Sequence, residues 1–201
     1  MPSLTTRAAL LTAAGVLTAA TLTACSNTTD SSMPGMDHSA TPMTSSATAG
    51  SSADSKAGDV MFVQMMIPHH QQAIEMADMA LSKTTASGKV KGLATDIKKA
   101  QDPEIATMRG WLTSWGASPS ASGGMDHGSG MMSAADMNKL KAAQGADFDR
   151  MWITMMIDHH RGAVSMAEQV LATTQDPDVK KLADAIITAQ KAEITTMQGL
   201  L

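Results

Sequence analysis

The chain carries Met65-Met66-Ile67-Pro68-His69-His70 and, 90 residues further on, Met155-Met156-Ile157-Asp158-His159-His160. The sequence around these hexads repeats: of the 23 positions in 59–81, 11 are identical in 149–171. The likeness continues downstream at an offset of 89. Ala100-Gln101, Glu104-Ile105, Thr107-Met108 and Gly110 return as Ala189-Gln190, Glu193-Ile194, Thr196-Met197 and Gly199. A one-residue change of offset belongs in a connection, where a chain tolerates deletion. Each copy therefore has two segments joined by a turn, marked by Ser87-Gly88 in the first and Asp176-Pro177 in the second.

Both segments have helical periodicity. Phe62, Met66, His69, Ala73, Met76, Ala77 and Ala80 follow the three-four spacing of one helix face, as do Leu93, Ile97, Gln101, Glu104, Met108 and Leu112 in the next segment. A lone helix pair buries little, so two copies are expected to pack as an all-α four-helix bundle. Ser133 to Asp136 reads as a capping box opening a short extra helix, 134–143, ahead of the second pair. Pro103 removes a backbone donor, so the second helix is expected to kink or restart there with Asp102 as its cap.

Composition removes several classes of function. The chain has 201 residues, a formal charge of −4 and 2% aromatics, which lacks the basic face and stacking rings of a nucleic-acid binder. One Cys excludes a disulfide framework, a Cys-based zinc finger and an iron–sulfur site. Neither a Gly-x-Ser-x-Gly elbow nor a phosphate-cradling glycine loop occurs. Arg7, the apolar stretch Ala8 to Ala20 and Leu22-Thr23-Ala24-Cys25 have the order of a secretory signal. The ending resembles a bacterial lipobox. That resemblance implies removal of 1–24, lipidation of Cys25 and tethering to the outer face of the cytoplasmic membrane. Residues 25–57 are rich in Ser, Thr, Ala and Gly and are expected to form a flexible tether. The bundle is expected over 58–201: a first helix pair 58–115, a flexible linker 116–132 and a second pair 133–201.

The helix faces carry unusual chemistry. At about 100° per residue, His69 falls at the centre of the apolar face, Met65 and Met66 a turn before it and Met76 two turns after; His70 sits on the flank. Met155, Met156, His159, His160 and Met166 repeat this, and Gln101, Glu104 and Met108 with Gln190, Glu193 and Met197 face them. Met at helical spacing is ordinarily adaptable core filler, and a single inward His is ordinarily a hydrogen-bonded one. Yet imidazoles and carboxylates are costly to bury without partners or a metal. Thioether with imidazole suits a soft cation, Cu(I) above all, with Cu(II) accepted by imidazole. Glu104 and Glu193 either ligate or hold the far imidazole nitrogen, the holding role being preferred.

The two low-complexity stretches carry the same donors. One reads Met33-Pro34-Gly35-Met36-Asp37-His38 and the other Met125-Asp126-His127-Gly128-Ser129-Gly130-Met131-Met132. No core requires Met there. These runs resemble the Met/His-rich loops of extracytoplasmic copper-resistance proteins, which adds Met36, His38, Met125 and His127 to the candidate ligands.

The pattern Met-Met-Ile-x-His-His-x-x-Ala-x-x-Met-Ala, followed by Ala-Gln-x-x-Glu-Ile-x-x-Met, resembles the domain-of-unknown-function family 305. The resemblance implies a ferritin-like four-helix fold and, from some members, copper binding and copper tolerance. The matching positions are Met66, His69, His70, Met76, Glu104 and Met108, with Met156, His159, His160, Met166, Glu193 and Met197. Pro103 stands where the second copy has Ala192. The expected function is a non-enzymatic copper-binding lipoprotein that buffers, detoxifies or traffics copper, with copper ions, a membrane and another copper-handling protein as partners. Two alternatives stand beside it. A ferritin-like metallo-oxidase would need Glu-x-x-His pairs, and none of Glu75, Glu104, Glu168 and Glu193 has one. A metal-free surface interaction module would use its Met only for packing.

Overall fold

A computed structural model describes residues 47–119 and 130–201, with side chains from residue 53 onward. The described residues form five helices and no strand: α1 Ala47–Ser82, α2 Gly88–Ser114, α3 Ala134–Ala142, α4 Gly145–Leu171 and α5 Pro177–Gln198. The expected all-α bundle of two helix pairs is found. α1 packs along α2, α4 along α5, and the two pairs meet through α1 and α4. None of the helices among the described residues is long and apolar enough to cross a membrane.

The turns follow from their cap residues. Ser87 caps α2, its hydroxyl accepting from the Val90 amide. Asp176 caps α5, accepting from the Asp178 and Val179 amides, with Pro177 in the first turn where no donor is needed. Ser133 opens α3 by accepting from the Asp136 amide. The Ser133 hydroxyl lies 2.6 Å from the Asp136 carboxylate, and this bond holds the Asp136 carboxyl below its ordinary value.

Three expectations need correction. α1 starts at Ala47, well inside the stretch expected to be a tether. Its early turns are anchored. The Ser55 hydroxyl accepts from the Gln175 amide at 3.1 Å, and the Lys56 ammonium sits 3.5 Å above the Trp115 ring. α2 runs through Pro103 without a restart, and Asp102 is not a cap. Pro103 and Lys99, whose carbonyl loses its donor, are both exposed, so water replaces the missing bond. Finally, the end of the expected flexible linker is docked. Gln72 of α1 binds the Met132 backbone at both ends, its amide nitrogen donating to the carbonyl at 2.9 Å and its oxygen accepting from the N–H at 2.7 Å.

The core is divided in two. One buried cluster joins Ala73, Met76 and Ala80 of α1 to Val90 and Ile97 of α2, Trp152 and Met156 of α4 and Met197 of α5, with Met137 and Leu140 of α3. The other joins Phe62, Val63 and Met66 of α1 to Ile105, Met108 and Leu112 of α2, Met166 and Val170 of α4 and Val179, Ala183 and Ile186 of α5. Residues before the histidines of α1 thus meet residues after the histidines of α4, and the reverse. α1 and α4 are antiparallel, and the two copies are related by an approximate two-fold axis at the level of the His pairs. The Trp152 indole ties the helices together by donating to the Met76 carbonyl at 2.9 Å.

Gly130 has φ +95, and a Cβ there would lie 2.7 Å from the Asp158 carbonyl oxygen and 3.0 Å from the Gly162 Cα. Backbone strain and this overlap act together, so Gly130→Ala is expected to cost about 1–3 kcal/mol. Urea unfolding of the two proteins measures it as a lowered midpoint.

Candidate metal centre

Between the two apolar clusters lies a polar layer. His69, His70, His159 and His160 are at most 1% exposed, and Gln101 and Gln190 are at most 3% exposed. The helical faces read from the sequence put them there, and the crossing of α1 over α4 brings the two copies together. The His69 and His159 rings lie with centroids 3.7 Å apart, tilted by 37°. The flanking pair turns outward toward the second helix of each copy. His70 Nε2 is 2.7 Å from Glu104 Oε2, and His160 Nε2 is 2.7 Å from Glu193 Oε2. Both carboxylates are about one-fifth exposed, so each keeps some water while its imidazole partner has none.

This geometry fixes the ring orientation. A carboxylate accepts at Nε2, and the tautomer with its proton there keeps a lone pair on Nδ1. Nδ1 of both His70 and His160 is buried and meets no hydrogen-bond partner among the described residues. A carboxylate on one ring nitrogen and a free lone pair on the other is the arrangement in which a carboxylate orients a metal-binding imidazole. Gln101 finds no partner for either end of its amide, nor Gln190 for its oxygen. Buried polar atoms without partners are costly, and an ion that takes up their lone pairs removes that cost.

Burial pushes the His159 pKa well down, with the neighbouring His69, His160 and His70 adding to the shift. His159 is therefore neutral at pH 7 and offers a lone pair rather than a charge.

The methionines sort by cluster. Met66, Met108 and Met166 share one apolar cluster, and Met76, Met156 and Met197 share the other. Each set draws two thioethers from one copy and the third from the opposite copy. Met66 lies one turn before His70 and Met108 one turn after Glu104; Met156 and Met197 are placed likewise about His160 and Glu193. Among the described residues no three His, Cys, Asp or Glu side chains gather into a set able to hold a metal ion. Besides the imidazole nitrogens, the donors at hand in and beside this layer are the amide oxygens of Gln101 and Gln190 and the neutral thioethers. Such a donor set fits Cu(I) or another soft cation and does not fit a hard, oxygen-seeking one.

Of the candidate ligands, these twelve bundle residues fall in or beside the polar layer. Met36, His38, Met125 and His127, and the lipidation candidate Cys25, lie outside the described residues. Gln72 was not expected to hold the linker; it is the half-buried polar residue that follows the first His pair, and only the observed path of Met132 gives it a task.

The sequence model of the family described as Domain of unknown function (DUF305) matches residues 59–201, and the chain belongs to that family. A DUF305 protein from Streptomyces coelicolor, described as secreted, superimposes with a TM-score of 0.67 at 33% identity, covering 72% of this chain and 91% of the other. CopM in its Cu(I)-bound form gives 0.59 at 39% identity, covering 71% and 94%. CopM has also been solved with Cu(II) and with Ag. An uncharacterized protein of Acanthamoeba polyphaga mimivirus is 38% identical over 53 residues, and the match spans 35% of that relative's length.

The lowered pKa of His159 sets a sign for acid stability. The unfolded chain takes up a proton near the ordinary value of 6.5 while the folded chain resists. Stability is therefore complete above that pH and declines as pH falls below it, by at most about 1.4 kcal/mol per unit for one proton. Urea midpoints of the metal-free protein between pH 7.5 and 5.5 are expected to fall, and to fall less in His159→Gln.

Proposed function

We propose that the protein binds copper outside the cytoplasm, holding Cu(I) in the bundle on the imidazoles of the polar layer and the thioethers that flank it. One observation carries this reading. His70 and His160 are each gripped at Nε2 by a carboxylate and each keeps a buried Nδ1 without a hydrogen bond. The carboxylate alone would satisfy a structural imidazole; the bare Nδ1 on the other side of each ring is what a ligand role explains. The six buried methionines supply soft, uncharged donors beside these rings, and CopM, similar over most of this chain, is known with Cu(I), Cu(II) and Ag bound.

The same reading assigns Glu104 and Glu193 to holding the rings and leaves His70 and His160 as the nitrogen ligands, with His159 neutral and His69 beside them. Met36, His38, Met125 and His127 add binding capacity outside the bundle. In this reading residues 1–24 are a signal and Cys25 carries a lipid anchor at the outer face of the membrane, where buffering or passing on copper protects the cell. The reading assigns no catalytic step.

Competition titration with Cu(I), using the chain that begins at Cys25, tests it. Replacing both His70 and His160 by Ala is expected to lower the number of tightly bound ions, while Glu104→Gln with Glu193→Gln keeps the number and weakens affinity about 10–100-fold. An unchanged count in the His variant, or no tight Cu(I) binding by the parent protein, contradicts the proposal.

A further inference from the structure

A cleft separate from the histidine layer opens between the first half of α1 and the last turns of α4. It has a volume of about 150 Å³, and its walls include Met61, Met65 and Met166. The three thioethers form a gradient of exposure. Met61 is 45% exposed, Met65 is half-buried and Met166 is 6% exposed. Met61 and Met65 are one helical turn apart and so lie on one stripe of α1, and Met166 faces them from α4.

Packing does not account for Met61. It stands among the few large apolar side chains left substantially exposed in the described residues, the others being Leu81 and Leu201. The polar side chains in the lining are those of Gln169 and Thr173; no carboxylate, ammonium or imidazole takes part. A hard or divalent ion finds no charge or oxygen-rich cage in such a place, whereas a soft monovalent ion needs only neutral sulfur. Met166 belongs both to the cleft and to the cluster that holds Met66 and Met108, on either side of His70 and Glu104.

The second copy differs here. The equivalents of Met61, Met65 and Met166 are Met151, Met155 and Met76, and all three belong to or pack against the other cluster. That cluster also takes in Met137 and Leu140 of α3 and Met132 of the docked segment. Nothing from α3 or that segment belongs to the cluster of Met66, Met108 and Met166.

We infer that this cleft is a surface capture site for one Cu(I) ion, bound by the sulfurs of Met61, Met65 and Met166 and passed inward to the buried imidazoles. The inference rests on the copper reading above, but its test is separate. Ag(I) serves as the probe, because it is a stable soft monovalent ion. The chain from Cys25, carrying 13C-methyl methionine, is titrated with Ag(I) and followed by 1H–13C spectra. The methyl signals of Met61, Met65 and Met166 are expected to shift together, and to do so also in the His70→Ala, His160→Ala variant. In Met61→Leu, Met65→Leu, whose melting temperature checks the fold, one bound ion is expected to be lost. Stopped-flow loading of the buried sites should slow at least 10-fold while their equilibrium affinity stays the same. If Ag(I) moves the signals of the buried methionines but not those of Met61 and Met65, or if the Leu variant loads at the parent rate, the capture site is refuted and the buried site stands. If no methionine of the bundle responds, both readings fall.

Discussion

Two imidazoles in contact at the crossing of α1 and α4 set the terms for the rest of the molecule. His69 and His159 have ring centroids 3.7 Å apart in a region closed to solvent. Two charged imidazoles cannot share that space, since each lacks water and repels the other. The crossing therefore needs at least one neutral ring, and burial with repulsion from its neighbours pushes the His159 pKa well down. At the margin of the layer Glu104 and Glu193 keep partial access to water, and each binds the second histidine of its own copy. The layer thus has two imidazoles in contact at its centre and two carboxylate-supported imidazoles at its flanks.

A layer of this kind contributes little to folding, and the two apolar clusters above and below it supply what it does not. Each brings all four long helices together, through residues such as Ile97 and Trp152 at one end and Phe62 and Ile186 at the other. Division of the core lets the middle serve binding without the whole bundle depending on it. Methionine suits the boundary between the two functions. It fills volume like Leu, yet its thioether can turn a lone pair toward a cation, and its side chain is flexible enough to repack. Because the copies are antiparallel, Met166 joins Met66 and Met108, and Met76 joins Met156 and Met197. Each set therefore spans both copies, and an ion bound at one would tie the two helix pairs together.

Much of this was legible in the sequence, and the rest was hidden for definite reasons. The repeat with its three-four spacing fixed four helices and their buried faces, because burial is dictated by period. Ser87, Ser133 and Asp176 marked helix starts, because capping is a local hydrogen bond. Periodicity also placed His69, Glu104 and their copies inward. It did not say that His70, on the flank, would take the carboxylate, since that depends on how α2 lies against α1. Composition misjudged the stretch before residue 58 for the same reason. Ala and Ser read as a tether, but Ser55 and Lys56 meet Gln175 and Trp115 from distant parts of the chain. At Pro103 the local rule was overridden because the lost hydrogen bond is on an exposed face.

The copies also diverge where a single linker must pass a two-fold arrangement. Gln72 and Gly162 occupy equivalent positions, each two residues beyond its His pair. The segment from Gly130 to Met132 touches both. Gln72 reaches out to bind the Met132 backbone, while Gly162 has no side chain and lets Gly130 approach its Cα to within the reach of a single carbon atom. A glutamine at 162 would fill the space the segment needs, and a glycine at 72 would leave Met132 without its two hydrogen bonds. Two symmetric partners cannot both be served by one strand of chain, so one copy became the grip and the other the bed. This break in symmetry sets Met131 and Met132 beside Gln72 and Glu75 of α1, and neither lines the thioether cleft of Met61, Met65 and Met166.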